Sequence, residues 1–300
     1  MTTATQRAEL GPATPMAGIA MALCAFAMFT AMDTCIKLLG GRYHVLQVMF
    51  FNSLFALPAV VVIAAARDRV RLLRPRHWRL HLGRWCVSYL ASIAIFSSYP
   101  HLALADAYAI LFTSPLLITA LAAVVLGERV GWRCRTAVAV GFAGVLVVLE
   151  PGRGVVALAG LIVLAGAVGH AVNMLFVRKL AVAGEAVEAT GTAGNLLTCA
   201  ITPLFLPWVW QTPSAGDLGI AAAAGMTAGS AFLLLAAAFR AAPAAVIAPF
   251  QYSQMLYAIV VGWLLFADWP STRMLLGSAI IVGSGVYVLR NETGGRGRAA

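Results

Sequence analysis

Long apolar segments follow one another along the whole chain, separated by short polar gaps. Most of them are near 20 residues in length, and they lie at 16–36, 46–66, 84–100, 102–126, 134–149, 157–177, 189–208, 218–239, 244–266 and 273–289. A helix needs roughly 20 apolar residues to cross a bilayer, and continuous rather than alternating polarity favours helices over a β-barrel. Only 11% of the residues are charged, whereas a soluble domain carries about 25%. The sequence therefore predicts an all-α polytopic membrane protein with ten transmembrane helices.

The lysines and arginines are divided unequally between the two sides of such a bundle. With the N-terminus inside, 17 of the 21 fall on the cytoplasmic side, and seven of these lie between Arg67 and Arg84. Cytoplasmic loops carry the excess of basic residues, so both termini, 1–15 and 291–300, are expected to be cytoplasmic tails. Topology then accounts for the net charge of +10. We expect no nucleic-acid partner, because the basic loop has no aromatic platform beyond Trp78.

Two stretches of the chain look like copies of each other. Ala105–Val130 resembles Ala245–Pro270, and a shift of 140 residues places Glu128 on Asp268. We interpret the chain as two five-helix repeats, 16–150 and 151–290. Since five is odd, the second repeat enters the membrane from the opposite side. Inverted repeats of this kind recur in secondary transporters, whose halves move around a central site.

An ordered set of short motifs supports this interpretation. They are ADAY at 105–108, Pro115, GER at 127–129, GFAGV at 141–145, APFQY at 248–252 and FADWP at 266–270. The set resembles the EamA-type members of the drug/metabolite transporter superfamily. The resemblance implies a carrier of small metabolites in a bacterial inner membrane, working by alternating access. It points first to the amino-acid and aromatic amino-acid exporters; similar chains are linked to riboflavin or S-adenosylmethionine transport.

Aromatic and polar side chains recur within several segments and form the candidate substrate site. They are Tyr89, Ser92, Phe96 and Tyr99 on one stripe of the third segment, Tyr108 and Phe112 in the fourth, His170 and Asn173 in the sixth, and Gln251, Tyr252, Gln254 and Tyr257 in the ninth. Small-molecule sites are mostly apolar and aromatic with a few placed polar groups. The alternative is ordinary helix packing with tyrosines at the membrane interface.

Two acidic residues and two prolines lie inside the apolar segments. Asp33 either contacts a proton or a substrate amine, or forms a local ion pair with Lys37 one turn along. Asp106 is either a second coupling group or a charge placed at the positive end of the fourth helix. Pro115 and Pro249 each remove a backbone donor and are expected to kink their helices where the cavity is gated.

Other functional classes lack their required residues in this sequence. No HExxH or phosphate-binding GxxxxGK[ST] motif occurs, so we expect no enzyme activity, no catalytic residues, no ATP-driven transport and no cofactor. No metal site is expected, since His77 and His81 lack a third ligand. The expected partners are a small-molecule substrate and the lipid bilayer. The glycine pair Gly225 and Gly229 fits packing within a monomer as well as a dimer face. A membrane-embedded enzyme and a channel are the alternatives from other classes.

Overall fold

The computed structural model describes residues 15–66, 73–118, 121, 132–149 and 154–296. Its main elements in those ranges are helices: α1 Pro15–Gly40, α2 Val45–Ala66, α3 Trp78–Ser98, α4 Leu104–Leu111, α5 Trp132–Leu149, α6 Val155–Val182, α7 Val187–Ile201, α8 Ala215–Ala241, α9 Ser253–Phe266 and α10 Thr272–Arg296. Short 3₁₀ turns connect several of them. The described part of the chain contains no strand.

Several helices have the length and composition of membrane spans. Within the described residues, four are long and apolar enough to cross a bilayer: Met16–Gly40, Val45–Val62, Val156–Val182 and Ala215–Ala241. Shorter apolar helices occupy Leu104–Ile118, Thr136–Leu149 and Thr272–Tyr287. Large apolar side chains also stand on the outside of the bundle, including Leu90, Val62 and Leu264 at 64–67% exposure. The prediction of an all-helical polytopic membrane protein is confirmed.

Small residues bring the helices into close contact. A Cβ atom at Gly225 would lie 2.6 Å from the backbone oxygen of Asn52, so α8 packs directly on α2. A Cβ at Gly144 would lie 2.9 Å from the oxygen of Gly277, which brings α5 equally close to α10. Small residues permit such backbone approach in membranes. The predicted glycine pair in α8 is therefore used within the chain.

Both prolines singled out from the sequence lie at helix interruptions. The helix of α4 ends at Leu111, passes through a turn at 112–113 and resumes at 114–118, around Pro115. Pro249 lies in the 3₁₀ turn Ala248–Tyr252, which separates the single turn Ala244–Ile247 from α9. Proline has no N–H to donate, so a break at these points is the expected result. The rest of the fourth segment, including Glu128, lies outside the described residues.

The connections between helices gather at two ends of the bundle, each tied by ion pairs. At one end, called the Lys37 end, Lys37 Nζ lies 2.9 Å from Asp268 Oδ2, and Arg42 Nη1 lies 2.7 Å from Asp217 Oδ1. At the other, called the Glu185 end, His77 Nδ1 lies 2.7 Å from Glu185 Oε2. These pairs join residues more than 100 positions apart in the chain.

Candidate substrate cavity

A cavity of about 230 Å³ lies between α1, α2, α3, α7 and α8. Its aromatic walls are Phe29, Trp85, Tyr89, Phe96 and Phe232, and its polar groups include Asn52, Ser53, Ser88, Ser92, Asn195 and Thr198. Aromatic walls with a small number of polar groups are typical of a site for a small organic molecule.

One stripe of α3 supplies much of the lining. Ser88 and Ser92 are four residues apart and face the cavity between the rings of Trp85, Tyr89 and Phe96. Trp85 Nε1 donates to a threonine hydroxyl of α7 at 3.0 Å, and the Tyr89 hydroxyl lies 2.9 Å from another just beyond α7. These bonds fix both rings. Of the predicted site residues, the structure brings Tyr89, Ser92 and Phe96 to this cavity.

Arg84 is the cavity residue that sequence reasoning missed. Its side chain is 8% exposed, and it is the one charged group among the described residues that line the cavity. The run of basic residues that begins at Arg67 predicts a loop position for it. The available signal was its spacing, because Arg84 lies four residues before Ser88 and therefore on the same stripe of the helix. The structure starts α3 at Trp78, which places Arg84 inside the helix.

Neutral groups surround the Arg84 guanidinium. Nη2 donates to the backbone oxygen of Thr190 at 2.9 Å, and Nη1 makes a longer contact of 3.4 Å with Oδ1 of Asn173. Nε has no hydrogen-bond partner among the described residues. A Cβ at Gly194 would lie 2.8 Å from Nη2, so the absence of a side chain there makes room for the guanidinium.

A second, separate cluster surrounds Asp33. Asp33 is 5% exposed, and Oδ2 accepts a hydrogen bond from the Tyr108 hydroxyl at 2.5 Å. Oδ1 has no partner within the described part of the chain. The buried Tyr99 is a neighbour of the same carboxylate. The alternative of a local pair between Asp33 and Lys37 is wrong, because Lys37 turns to Asp268 and to the backbone oxygen of Leu102 at 3.0 Å instead.

Aromatic rings extend this cluster from α4 to the turn before α9. Tyr108 stacks on Phe112 with 6.2 Å between ring centroids, and Phe112 meets Tyr252 edge-on at 5.0 Å. Gln254 lies beside Tyr108. The structure thus places Tyr99 and Tyr108 at Asp33 and connects Tyr108 through Phe112 to Tyr252. None of the four lines the cavity, but the Tyr99 ring lies 5.7 Å from that of Phe96, which does. Gln251 and Tyr257 are half-buried, and Tyr257 packs against the first half of α1.

The two predicted polar residues of α6 point in different directions. A Cβ at Gly169 would lie 2.9 Å from that of Ala91, so this face of α6 packs on α3. The next residue, His170, is solvent-accessible and is not among the residues that line the cavity, whereas Asn173 is buried beside Arg84. Asp106 lies half-buried in the first turn of α4, the position expected for a carboxylate that faces a helix dipole.

Comparison with known proteins agrees with this architecture. Residues 16–150 match the EamA-like transporter family. A riboflavin transporter of Rhizobium johnstonii is 29% identical over 81% of this chain and 78% of its own length. An S-adenosylmethionine uptake transporter of Rickettsia conorii is 24% identical over 93% of this chain and 94% of its own. A crystal structure that is 19% identical superposes with a TM-score of 0.62, over 92% of this chain and 98% of that one.

The apolar helical bundle and the family match together define a multi-pass transporter of the bacterial inner membrane. The relatives are named as transporters of small molecules, and a transporter of small molecules is the class that this chain fits. More particularly, residues 16–150 carry a domain of the EamA-like transporter family. The crystal structure supports the fold alone at its level of identity.

Proposed function

We propose that this chain carries riboflavin, or a similar planar and hydroxylated metabolite, across the inner membrane. The observation that carries the proposal is the cavity itself, in which five aromatic rings alternate with hydroxyl and amide groups. An isoalloxazine ring would stack on such walls, and a ribityl chain would exchange hydrogen bonds with groups such as Ser88, Ser92 and Asn195. A riboflavin transporter is among the relatives.

S-adenosylmethionine is the second candidate, favoured by a relative that aligns over 93% of this chain. Its sulfonium group is a cation, and cations are bound by carboxylates or by open aromatic faces. The described lining of the cavity has no carboxylate and holds the Arg84 cation. The five aromatic rings of the lining would suit a cation, but the positive charge of Arg84 beside them opposes one, and we therefore rank S-adenosylmethionine below riboflavin. Amino-acid export, the main expectation from the sequence, has less support from the named relatives than either alternative.

We infer that the bundle consists of two inverted five-helix repeats with both termini in the cytoplasm. The packing supports this inference, since α1 packs along α8 just as α6, its counterpart, packs along α3. Similarly, α4 and α5 meet their own counterparts, α9 and α10. The basic residues then place the Glu185 end in the cytoplasm and the Lys37 end outside.

Movement of the repeats would give access to the cavity from alternate sides. At about 230 Å³, the cavity is smaller than the ~300–1,000 Å³ of typical small-molecule sites. Binding a flavin therefore requires the helices around the cavity to separate. The interruptions at Pro115 and Pro249 are the proposed bending points of the cycle.

Asp33 and Asp106 are the proposed coupling residues. Asp33 is the stronger of the two, because it is a buried carboxylate that has one oxygen without a partner among the described residues. Flux measured with and without a pH gradient tests its role. If Asp33 takes up a proton in the cycle, Asp33→Asn abolishes the stimulation by the gradient while leaving exchange at equal pH intact.

The transport function is tested by uptake of labelled riboflavin into proteoliposomes. Ser92→Trp would fill the cavity, whereas Leu90→Trp would place the same ring on the outer surface of α3, where Leu90 is 67% exposed. We expect saturable uptake that is lost in the first variant and retained in the second. Saturable flux of S-adenosylmethionine alone, or of amino acids alone, would replace the substrate. Absence of all saturable flux in folded protein would refute the carrier.

A further inference from the structure

The Arg84 guanidinium has more hydrogen-bonding capacity than its surroundings use. Arginine presents five N–H donors in a planar fork. One of them is satisfied by the Thr190 oxygen at 2.9 Å, and a second makes the 3.4 Å contact with Asn173. Five less two leaves three N–H groups, and among the described residues Nε has no acceptor. Nε is enclosed by surrounding atoms, so a molecule in the cavity would meet the remaining N–H groups of Nη1 and Nη2, whose side chain lines the cavity.

The charge of Arg84 is likewise uncompensated by the residues around it. Its side chain is more than nine-tenths buried, and no carboxylate oxygen of the described residues lies within ion-pair distance. Glu188, the acidic residue nearest in the sequence of α7, is 3.7 Å from Arg240 instead. Burying an ion without a counter-charge is costly, and buried ionisable groups in membrane spans usually face a cavity or a partner.

The side of the cavity formed by α7 leaves room for the Arg84 side chain. Gly194 leaves the space that Nη2 occupies, and Gly191, one turn earlier, leaves space for the Phe232 ring, whose Cε1 would be 2.8 Å from an added Cβ. Both glycines line the cavity. A flat cation and an aromatic ring are therefore held on adjacent positions of one wall.

We propose that Arg84 binds the substrate directly, through an uncharged or anionic edge that carries adjacent hydrogen-bond acceptors, and that it excludes cations. The pyrimidinedione edge of a flavin has this chemistry, as do a carboxylate and a phosphate, because the guanidinium fork matches paired acceptors. The substrate would accept hydrogen bonds from the second N–H groups of Nη1 and Nη2, each of which already makes one contact with the protein. This inference rests on the proposed transport function and adds the residue that determines its specificity.

Two substitutions separate the charge of Arg84 from its geometry. Arg84→Met keeps the length of the side chain without the charge, and Arg84→Lys keeps the charge without the fork. Arg79→Met is the matched control, since Arg79 is exposed on the same helix and does not line the cavity. Riboflavin binding is read from quenching of its fluorescence, uptake gives KM and kcat, and thermal melting reports folding.

We expect Arg84→Met to raise the Kd and KM for riboflavin about tenfold or more, the loss expected for hydrogen bonds to a charged group. Its melting temperature should stay near that of Arg79→Met, and S-adenosylmethionine should become a better competitor than it is in the wild type. In Arg84→Lys the exclusion of this cation is retained while riboflavin affinity falls. Flavin mononucleotide, which adds a phosphate, tests on the wild type whether an anion competes at least as well as riboflavin.

An unchanged KM in Arg84→Met, accompanied by a lower melting temperature, would overturn the proposal and make Arg84 a link between α3 and α7. Preference of the wild type for S-adenosylmethionine over both flavins would also overturn it. Failure of riboflavin transport alone refutes only the proposed substrate. In that case the same variants are measured with whichever carboxylate or other acceptor-bearing compound of the panel is carried.

Discussion

Replacing Tyr108 by phenylalanine tests the buried cluster around Asp33. The substitution removes one hydroxyl from a fully packed position, where Tyr108 is 4% exposed. That hydroxyl donates to Asp33 Oδ2 at 2.5 Å, and Oδ1 of the same carboxylate has no partner among the described residues. The variant therefore removes the hydrogen bond from Tyr108 to Oδ2, while the ring contact with Phe112 and the neighbouring Tyr99 are kept.

The expected loss follows from the cost of a buried polar group without its partner. Leaving such an acceptor unsatisfied costs about 1–3 kcal/mol. With an unfolding entropy of about 2.1 cal/mol/K per residue, this corresponds to a decrease of about 2–5 °C in the melting temperature of a chain of this length. Double substitution provides a stricter test, since in an Asp33→Ala background the loss of the Tyr108 hydroxyl should cost much less.

The assay is thermal unfolding of purified protein in one detergent, followed by the fluorescence of a thiol-reactive dye. Tyr287→Phe is the matched control, because Tyr287 is 46% exposed and loses the same atom. We expect Tyr108→Phe to melt several degrees below both the control and the wild type. Equal melting temperatures for the two variants, or equal losses with and without Asp33, would refute the hydrogen bond as a source of stability.

Two further predictions concern the ends of the bundle. Burial raises the pKa of Glu185, but hydrogen bonds from the His77 side chain and from the backbone of Arg76 and His77 outweigh it and hold the pKa below its ordinary value. The stability that Glu185 contributes is therefore fully present above the ordinary pKa of a glutamate and is lost as the pH falls through the lowered pKa. Between neutral and strongly acidic pH, the melting temperature of Glu185→Gln should fall less than that of the wild type. Parallel decreases in the two proteins would contradict this. Phe96 lines both the substrate cavity and a second cavity of about 360 Å³ at the Lys37 end. Phe96→Ala should join the two, weaken riboflavin binding and speed passive leak in proteoliposomes, whereas Leu90→Ala should change neither; unchanged leak would show that the ring is not a barrier.

The repeated apolar segments of about 20 residues made the all-helical membrane fold predictable, because a segment of that length and composition is typical of a transmembrane helix. The same regularity misled at Arg84. A run of arginines reads as a loop from its composition, but α3 begins at Trp78 and carries the last arginine of the run into the bundle. Only the spacing to Ser88 and Ser92 pointed inward, and a charge at the edge of an apolar segment fits both positions.

Ion pairs between residues far apart in the chain could not be predicted from local spacing. Asp33 and Lys37 satisfy the spacing of a helical ion pair, yet Lys37 finds Asp268, which is 231 residues away. The rotation of a helix about its own axis is equally hidden. His170 and Asn173 are three positions apart, yet the first is exposed and the second is buried. The close packing of Gly169 on α3 sets the orientation of α6 and decides this.

The contact between Phe112 and Tyr252 limits how independently the two halves can change. These residues are 140 positions apart, the same shift that aligns Ala105–Val130 with Ala245–Pro270, and their ring centroids are 5.0 Å apart. Each lies where its helix is interrupted. A bend at one interruption would move a ring that packs against the other, so we expect the two bends to be coupled. In the repeat arrangement that we infer, a substitution in one half at this contact would therefore change the surroundings of the other half as well.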